Sequence, residues 1–231
     1  MNFVQKSSGL SVSPRQSLRQ VLNAGSGPLS ARQLHPVFQE DQWRQVRLDI
    51  DPQTKPDVVG SITDMSGLFP SEHFDAIWSS HSLEHLYPHE VPLALSEFRR
   101  ILRPDGFALI TSPDLEAIAT VLLAQGLNHV AYTSPMGPIT PHDMIFGHSD
   151  SIACGKLYMA HNTGFTCTVL GQLLLDAGFP VVLAKGQRFD LWALAFMEKA
   201  DMAAIQYELK GAGLDMFDDA ECPIDALDST R

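Results

Sequence analysis

Two glycines and two aspartates, some twenty residues apart, have the residue types and spacing to hold a ligand. VLNAGSGP places Gly25 and Gly27 after an apolar run, and VRLDIDP ends a second run with Asp49 followed by Asp51. A backbone without Cβ atoms allows a ligand to approach closely, and a carboxylate can accept hydrogen bonds from the vicinal hydroxyls of a ribose. The spacing is typical of a nucleoside-binding unit. By themselves, however, two such glycines equally fit a tight turn, and Asp51 before Pro52 fits a helix cap.

The histidines form a second group with chemical potential. His81, His85 and His89 recur at intervals of four, which would align them on one face of a helix, and Glu84 lies among them. Histidine and carboxylate side chains together suggest a metal site. However, Pro88 falls inside the spacing, and His81 follows an apolar run that predicts a strand. We therefore predict no metal ion here.

The elements that must position these residues are short apolar runs that end in small or acidic residues. The runs are RQVLNAG, RQVRLDID, PDVVGSI, FDAIWSS and GFALITSPD. Such runs are typical of strands buried on both faces of a parallel sheet. Between the last two, PHEVPLALSEFRRILRPDG predicts a helix that stops at the glycine. A strand–helix–strand order implies a right-handed crossover, so we predict an α/β fold.

The closing part of the sheet is predicted to be an antiparallel hairpin. FTCTVLGQLLLDAGF predicts a helix closed by Gly178, and PVVLAKGQ and LWALAFMEK predict two strands joined by a turn that contains Gly186. Near the start of the chain, Pro36 interrupts the segment LSARQLHPVFQEDQW.

The region from about Gly126 to Gly164 breaks this regular order. It is long, rich in glycine and proline, and also contains Tyr, Phe, Met and His. A connection of this length inside a compact domain is usually functional or disordered, and the aromatic content argues against disorder. We predict an insertion at about 126–164 that covers the active face.

Composition limits the classes of function. The chain has 231 residues, is 45% hydrophobic and carries a formal net charge of −11. It can bury one substantial core, and its charge argues against nucleic acid as a partner. We predict one domain over residues 1–200 and an acidic C-terminal segment over 201–231, in which the run LDMFDDAECPIDALD is a solvated tail. The three widely spaced cysteines and the absence of a signal peptide or membrane-length apolar run predict a cytoplasmic protein.

Taken together, VLNAGSGP, VRLDID, VVGSITD, FDAIWSSHSLEHL and EFRRILRPDGFALITSPD resemble the class I S-adenosylmethionine-dependent methyltransferases. The closest likeness is to the type 11 group, which includes quinone-biosynthesis enzymes. The resemblance runs from about Val21 to Asp114, and more loosely to Lys199. It implies a Rossmann-like three-layer sandwich with a seven-stranded, mostly parallel sheet and an antiparallel last strand. The implied cofactor is S-adenosyl-L-methionine, and the implied activity is methyl transfer to a small or medium-sized acceptor.

The resemblance also implies a cofactor site. Gly25 and Gly27 would line the methionine part, Asp49 would hold the ribose from an exposed strand end, and the Ile62 backbone N–H would donate to the adenine. The full implied set is Asn23, Gly25, Gly27, Asp49, Ser61, Ile62 and Ser79.

Two residues depart from the family pattern. The family usually has an acid where this chain has Asn23, and often one where it has Ser61, although Asp64 could reach the adenine instead. These departures favour the alternative of a catalytically weak or inactive nucleoside-binding or scaffold protein. An NAD-dependent oxidoreductase is disfavoured because the turn lacks the third glycine of GxGxxG.

The transfer itself and the acceptor are the least determined. His81, at the tip of the fourth strand, is the catalytic candidate because it could take a proton from the acceptor; a hydrogen-bonded loop residue is the equal alternative. The acceptor-binding candidates are His142, Phe146 and His161, with Tyr132, Met144 and His148 nearby. For Met144 and Phe146 simple packing is the favoured interpretation. The insertion could instead form an interface of a homo-oligomer.

Overall fold

The computed structural model describes residues 18–29, 34–39 and 41–216. One seven-stranded sheet organises them, in the order β3-β2-β1-β4-β5-β9-β8, with a separate two-stranded sheet, β6-β7. The strands, in chain order, are β1 (Arg19–Ala24), β2 (Trp43–Asp49), β3 (Val58–Val59), β4 (Phe74–Ser80), β5 (Leu102–Pro113), β6 (Tyr132–Ser134), β7 (Gly137–Ile139), β8 (Val181–Gln187) and β9 (Asp190–Phe196).

Six α-helices accompany these strands. They are α1 (Val91–Ile101), α2 (Leu115–Gln125), α3 (Pro141–Phe146), α4 (Ser149–Ala153), α5 (Cys167–Asp176) and α6 (Met202–Gly211). Short 3-10 turns lie at Pro36–Phe38, Pro52–Thr54, Leu83–His85 and Leu157–Met159. No helix in the described ranges has the length and apolar character needed to span a bilayer.

Strand pairing confirms the predicted sheet. β1, β2, β3, β4 and β5 pair in parallel, whereas β9 is antiparallel both to β5 and to β8. Because parallel strands point the same way, the carboxyl ends of β1, β2 and β4 meet at one edge of the sheet. In open α/β sheets, that edge is where ligands bind.

Helices cover both faces, which gives the predicted three layers. On one face, α1 buries Val91, Leu95 and Phe98 at helical spacing together with Leu170 of α5. On the other face, the sheet packs against the turn at Pro36–Phe38 and against α6. A 3-10 turn with a proline at its first position agrees with the predicted interruption at Pro36.

Two glycines have other roles than the sequence predicts. Gly106 does not stop α1, which ends at Ile101 ahead of the extended pair Leu102 and Arg103 that precedes Pro104. Instead, Gly106 lies inside β5, where an added Cβ would be 2.8 Å from the Asp75 carbonyl.

Gly186 lies inside β8, opposite Leu191, and the hairpin turns at Arg188 instead, whose φ is +60°. A Cβ on Gly186 would lie 2.8 Å from an Asp114 carboxylate oxygen, so this glycine lies close to the Asp114 side chain and does not form the turn.

The C-terminal segment also differs in part from its prediction. Helix α6 packs on the sheet through Ile205 and Leu209, and the following Leu214 and Met216 are buried in the same cluster. These two residues therefore belong to the core and not to a solvated tail. Most of the acidic run, residues 217–228, lies outside the described residues.

Candidate active site

The glycine turn after β1 is fixed by the loop after β4. Gly25 and Gly27 have φ values of +71° and +58°, a backbone region that favours glycine. A Cβ on Gly25 would lie 2.3 Å from Oγ of Ser82, and that hydroxyl donates to the Ala24 carbonyl at 2.9 Å. The turn is therefore tight, and Ser82 packs directly against it. Gly25 is thus required by the fold itself, whether or not a ligand binds.

Asp49, at the end of β2, connects the glycine turn to its own loop. Its Oδ2 accepts a hydrogen bond from the Gly27 N–H at 2.7 Å, and its Oδ1 accepts one from the Asp51 N–H at 2.8 Å. The residue is 8% exposed, so the expectation of an exposed strand end is wrong. The carboxylate is drawn inward because it satisfies these two backbone donors. A carboxylate has about four acceptor sites, so each oxygen retains capacity for another donor.

Arg47 is a residue of this edge that sequence reasoning missed. Its guanidinium donates to the carbonyls of Gly27 at 2.6 Å, Lys55 at 2.8 Å and Thr54 at 3.2 Å. One side chain therefore holds the glycine turn and the loop after β2 in a fixed relation. An arginine within the run RQVRLDID resembles an ordinary solvent-facing strand residue, so its sequence carries no signal of this role.

The other predicted cofactor residues lie along the same edge. Asn23 is 3% exposed within β1, and Ser79 is fully buried within β4, where its Oγ has no hydrogen-bond partner among the described residues. After β3, Ser61 Oγ lies 2.7 Å from Thr63 Oγ1. The Ile62 N–H donates to no other group in the described part of the chain.

Asp64, predicted as an alternative contact to adenine, is exposed and accepts hydrogen bonds from the backbone and hydroxyl of Ser66. These bonds lower the pKa of its carboxyl group. The carboxylate therefore caps its own turn.

His81 lies directly after β4, as predicted, in a loop and with a φ of +49°. Its Nδ1 lies 3.2 Å from Glu84 Oε1, and its Nε2 lies 3.4 Å from Asp190 Oδ1. Burial of the ring lowers the pKa of His81, but the adjacent Glu84 and Asp190 outweigh this effect, so the net pKa is raised. The imidazole is thus held between two carboxylates while 45% of its side chain stays exposed.

Asp190 was not identified from the sequence. It opens β9 and pairs with Pro113, the last residue of β5. Because β9 is antiparallel to β5, its first residue lies at the carboxyl edge of the parallel strands. Burial raises the pKa of Asp190, and the charge of His81 opposes that rise. The signal was available: an antiparallel last strand must begin at this edge.

Glu84 is a fully buried carboxylate beneath this loop. Its Oε2 accepts a hydrogen bond from Ser112 Oγ at 3.0 Å. Oε1 has no hydrogen bond of good geometry within the described residues, so its 3.2 Å approach to His81 is an ion-pair contact. Burial alone would raise the pKa of Glu84; the surrounding histidines His81, His85 and His161 lower it overall.

The segment from Gly126 to Gly164 contains β6, β7, α3 and α4. Met144 is 6% exposed and packs with Ile118 and Ile139, which confirms its predicted packing role. Phe146 is 53% exposed, so the packing interpretation is wrong for it. Its ring lies 5.1 Å from that of His142.

The third acceptor candidate, His161, is linked to Phe146 through the backbone, since its N–H donates to the Phe146 carbonyl at 3.2 Å, and its ring lies 5.0 Å from that of His85. Near the edge of the sheet, Tyr132 stacks on Phe189 at 5.7 Å. The structure thus brings Tyr132 to the hairpin beside Asp190, and it places the His161 ring next to His85 while the His161 backbone contacts Phe146.

Comparison with known proteins gives a family match for the part of the chain that forms this edge. Residues 25–110 match the family described as "Methyltransferase domain". The search of curated proteins gives no match.

Solved structures show the same fold at low identity. A SAM-dependent methyltransferase from Archaeoglobus fulgidus has a TM-score of 0.51 and 14% identity, over 78% of this chain and 86% of that one. An O-methyltransferase family protein from Burkholderia thailandensis has a TM-score of 0.53 and 12% identity, over 79% of this chain and 52% of that one. The trans-methyltransferase CalH, in complex with SAH, has a TM-score of 0.52 and 15% identity, over 78% of this chain and 52% of that one.

Proposed function

We infer that this chain is a class I S-adenosylmethionine-dependent methyltransferase of the type 11 group and that it methylates a small or medium-sized acceptor. The observation that carries the proposal is the glycine turn tied to Asp49 at the carboxyl edge of the sheet, within the matched residues. S-adenosylmethionine supplies an electrophilic methyl group on a sulfonium when it is bound. The chain's own residues must then hold the donor, align the acceptor and handle a proton.

The polar groups of this edge suit an adenosine. We propose that Asp49 accepts the ribose hydroxyls with the capacity its two backbone contacts leave, and that the unpaired Ile62 N–H donates to the adenine beside Ser61. Gly25 and Gly27 would lie against the methionine portion. Asn23 and Ser79 would border its end; the unpartnered Ser79 hydroxyl supports this assignment.

His81 is the proposed catalytic residue. Its position after β4 places it beside the proposed methionine end, and Glu84 and Asp190 hold its two ring nitrogens. To accept the proton of an acceptor hydroxyl or amine as the methyl group moves, His81 must be neutral, with its Nε2 released from Asp190 and directed at the acceptor. Methyl transfer from a sulfonium can also proceed by alignment alone, in which case His81 would only order its loop.

The proposed acceptor lies between this edge and the segment from Gly126 to Gly164. Support comes from Tyr132, stacked on Phe189 next to Asp190, and from the exposed Phe146 beside His142. Aromatic rings suit a ring-bearing or apolar acceptor, and histidines suit a polar or acidic end. The His161 ring lies 5.0 Å from that of His85, which suits a shared metal ion better than an acceptor.

We also propose a setting for this activity. The net charge of −11 argues against nucleic acid as substrate, and the free cysteines Cys154 and Cys167 fit a reducing, cytoplasmic environment. If the chain forms a homo-oligomer, we propose the Gly126–Gly164 segment as its interface. Apart from Asn23 and Ser61, no observation on the described residues favours the inactive-scaffold alternative.

The experiment is a screen of metabolite pools with methyl-labelled S-adenosylmethionine, followed by kinetics on the acceptor found. For His81→Asn we expect kcat to fall by about 10²–10⁴-fold, the range for a lost acid or base, with little change in cofactor affinity. His129→Ala is the matched control, because His129 is an exposed histidine of the cover, as we call the Gly126–Gly164 segment. An unchanged kcat in His81→Asn would leave alignment as the whole mechanism. Absence of transfer to any acceptor, despite cofactor binding, would favour the scaffold alternative.

A further inference from the structure

We propose that Glu84, His85 and His161 form a binding site for a divalent transition-metal ion of the Zn²⁺ class. One potential ligand atom from each residue lies within 4.8 Å of the other two. The prediction of no metal was based on the spacing of His81, His85 and His89, with Glu84 adjacent and His161 noted only as lying further along the chain. The structure brings His161 to His85 and leaves His89 exposed and stacked on Tyr87.

Both histidines are held in the tautomer that a metal requires. Nδ1 of His85 lies 3.0 Å from the Ala160 carbonyl, and Nδ1 of His161 lies 3.0 Å from the Met144 carbonyl. A carbonyl oxygen only accepts hydrogen bonds, so each Nδ1 carries the proton and each neutral ring keeps its lone pair on Nε2. A backbone carbonyl that orients the ring through its other nitrogen is the usual support of a metal-bound histidine.

Glu84 supplies the anionic ligand. The residue is 0% exposed, and its Oε1 has no hydrogen bond of good geometry in the described structure, although Oε2 is satisfied by Ser112. A buried carboxylate oxygen without a partner is costly, and a bound cation removes that cost. Among the described residues, the charged partner in contact with Oε1 is His81, at 3.2 Å. An ion pair with protonated His81 is therefore the competing explanation.

Backbone contacts keep the two distant segments in register. The Asn162 N–H donates to the Glu84 carbonyl at 2.8 Å, and the Asn162 side-chain amide donates to the His85 carbonyl at 2.8 Å. These two hydrogen bonds of Asn162 thus join the loop after β4 to the end of the Gly126–Gly164 segment. The backbone at Glu84, His85 and His161 is therefore held in place before any ion binds.

Two imidazole nitrogens and one carboxylate oxygen form a donor set that Zn²⁺ and similar borderline ions accept. Three protein ligands leave a coordination position for water or another oxygen ligand. The proposal concerns metal binding, so its test requires no methyl transfer, although the ion would compete with His81 for Glu84 Oε1.

The test is equilibrium dialysis of the purified, chelator-treated chain against Zn²⁺, with Co²⁺ absorption as a spectroscopic readout of nitrogen and oxygen ligation. We expect about one ion per chain and a rise in thermal midpoint on Zn²⁺ addition. His161→Ala and His85→Ala should each weaken Zn²⁺ binding at least about tenfold. His129→Ala, an exposed histidine elsewhere on the cover, should bind as the unaltered chain does.

Because Glu84 is fully buried, Glu84→Gln is tested only after circular dichroism shows a folded variant; the two histidine variants carry the test if it does not fold. Substoichiometric binding of both Zn²⁺ and Co²⁺ by the unaltered chain would overturn the proposal in favour of the His81 ion pair. Equal Zn²⁺ affinity in the unaltered chain and in both histidine variants would overturn it as well.

Discussion

The Asp49 carboxylate has a structural task and a proposed binding task. It accepts the backbone N–H groups of Gly27 and Asp51, which fixes the glycine turn, and it retains acceptor capacity for a ribose. Replacement by alanine would remove both tasks, so a loss of binding in that variant would be ambiguous. Asparagine keeps one oxygen acceptor and nearly the same volume.

For Asp49→Asn we expect the affinity for S-adenosylhomocysteine to fall by about 1.5–3 kcal/mol, the range for hydrogen bonds that involve a charged group. Isothermal titration calorimetry measures the affinity, and urea unfolding measures the accompanying loss of stability. Asp51→Asn is the matched control, because that side chain caps only its own 3-10 turn. If Asp51→Asn loses affinity and Asp49→Asn does not, then Asp51 and not Asp49 binds the ribose.

The burial of His35 predicts how the free energy of unfolding depends on pH. Its ring is buried among Phe38, Trp78 and Trp192, and burial lowers the pKa of His35 to about 4. The folded state therefore disfavours the protonated ring, which the unfolded chain accepts with its ordinary pKa of about 6.5. The stabilisation is complete above pH 6.5 and is lost as the pH falls toward 4.

Between pH 7 and pH 5 this single group should lower the free energy of unfolding by about 2 kcal/mol. The measurement is urea unfolding at both pH values for the unaltered chain and for His35→Phe, which keeps an aromatic ring but does not titrate. The pH-dependent loss should be smaller by that amount in the variant. Equal losses in both proteins would show that His35 is protonated in the folded state at pH 5.

Among the elements, the cover from Gly126 to Gly164 carries the main functional prediction. Its hairpin β6-β7 meets the β8-β9 turn through Tyr132 and Phe189, and its end joins the loop after β4 through Asn162. Both contacts are made to loops at the edge where the cofactor is proposed to bind. Ordering of that edge by a ligand should therefore be transmitted to the cover.

Hydrogen exchange of this segment, with and without S-adenosylhomocysteine and at two protein concentrations, tests the coupling. We expect protection to increase with the ligand and to be independent of protein concentration. Protection that depends only on concentration would instead assign the segment to an interface between copies of the chain.

Local sequence signals predicted some elements and misplaced others. The β8-β9 hairpin was predicted because two apolar runs lie too close to pair in any other way, yet Gly186 was assigned to its turn. A glycine that lies close to Asp114 is indistinguishable, in sequence, from one needed for a turn. Gly106 misled the prediction for the same reason at the end of α1.

The site was predictable where it depends on strand ends and unpredictable where it depends on distant contacts. Asp49 and His81 follow strands, so the topology fixes their edge. The pairing of His85 with His161, and of Arg47 with the Gly27 carbonyl, arises only after folding brings separate loops together. Side-chain burial was also not predictable from the sequence: Asp49 was expected to be exposed and is buried, whereas Phe146 was expected to be packed and is exposed.

For the whole molecule, the succession of apolar runs was sufficient to predict the architecture. Runs buried on both faces require parallel strands covered by helices, and the closing hairpin requires one antiparallel strand. The observed order β3-β2-β1-β4-β5-β9-β8 satisfies both requirements. This fold alone does not determine an activity; the proposed activity is based on the polar groups at its carboxyl edge and on the match of residues 25–110 to a methyltransferase domain.

The central claim is that this edge binds S-adenosylmethionine. Calorimetric titration of the full chain with S-adenosylhomocysteine, and separately with S-adenosylmethionine, tests it most directly because no acceptor is required. The account predicts saturable binding of about one ligand per chain with both compounds, weakened in Asp49→Asn and unchanged in His129→Ala. No heat of binding with either compound, at ligand concentrations of about 1 mM, would contradict it.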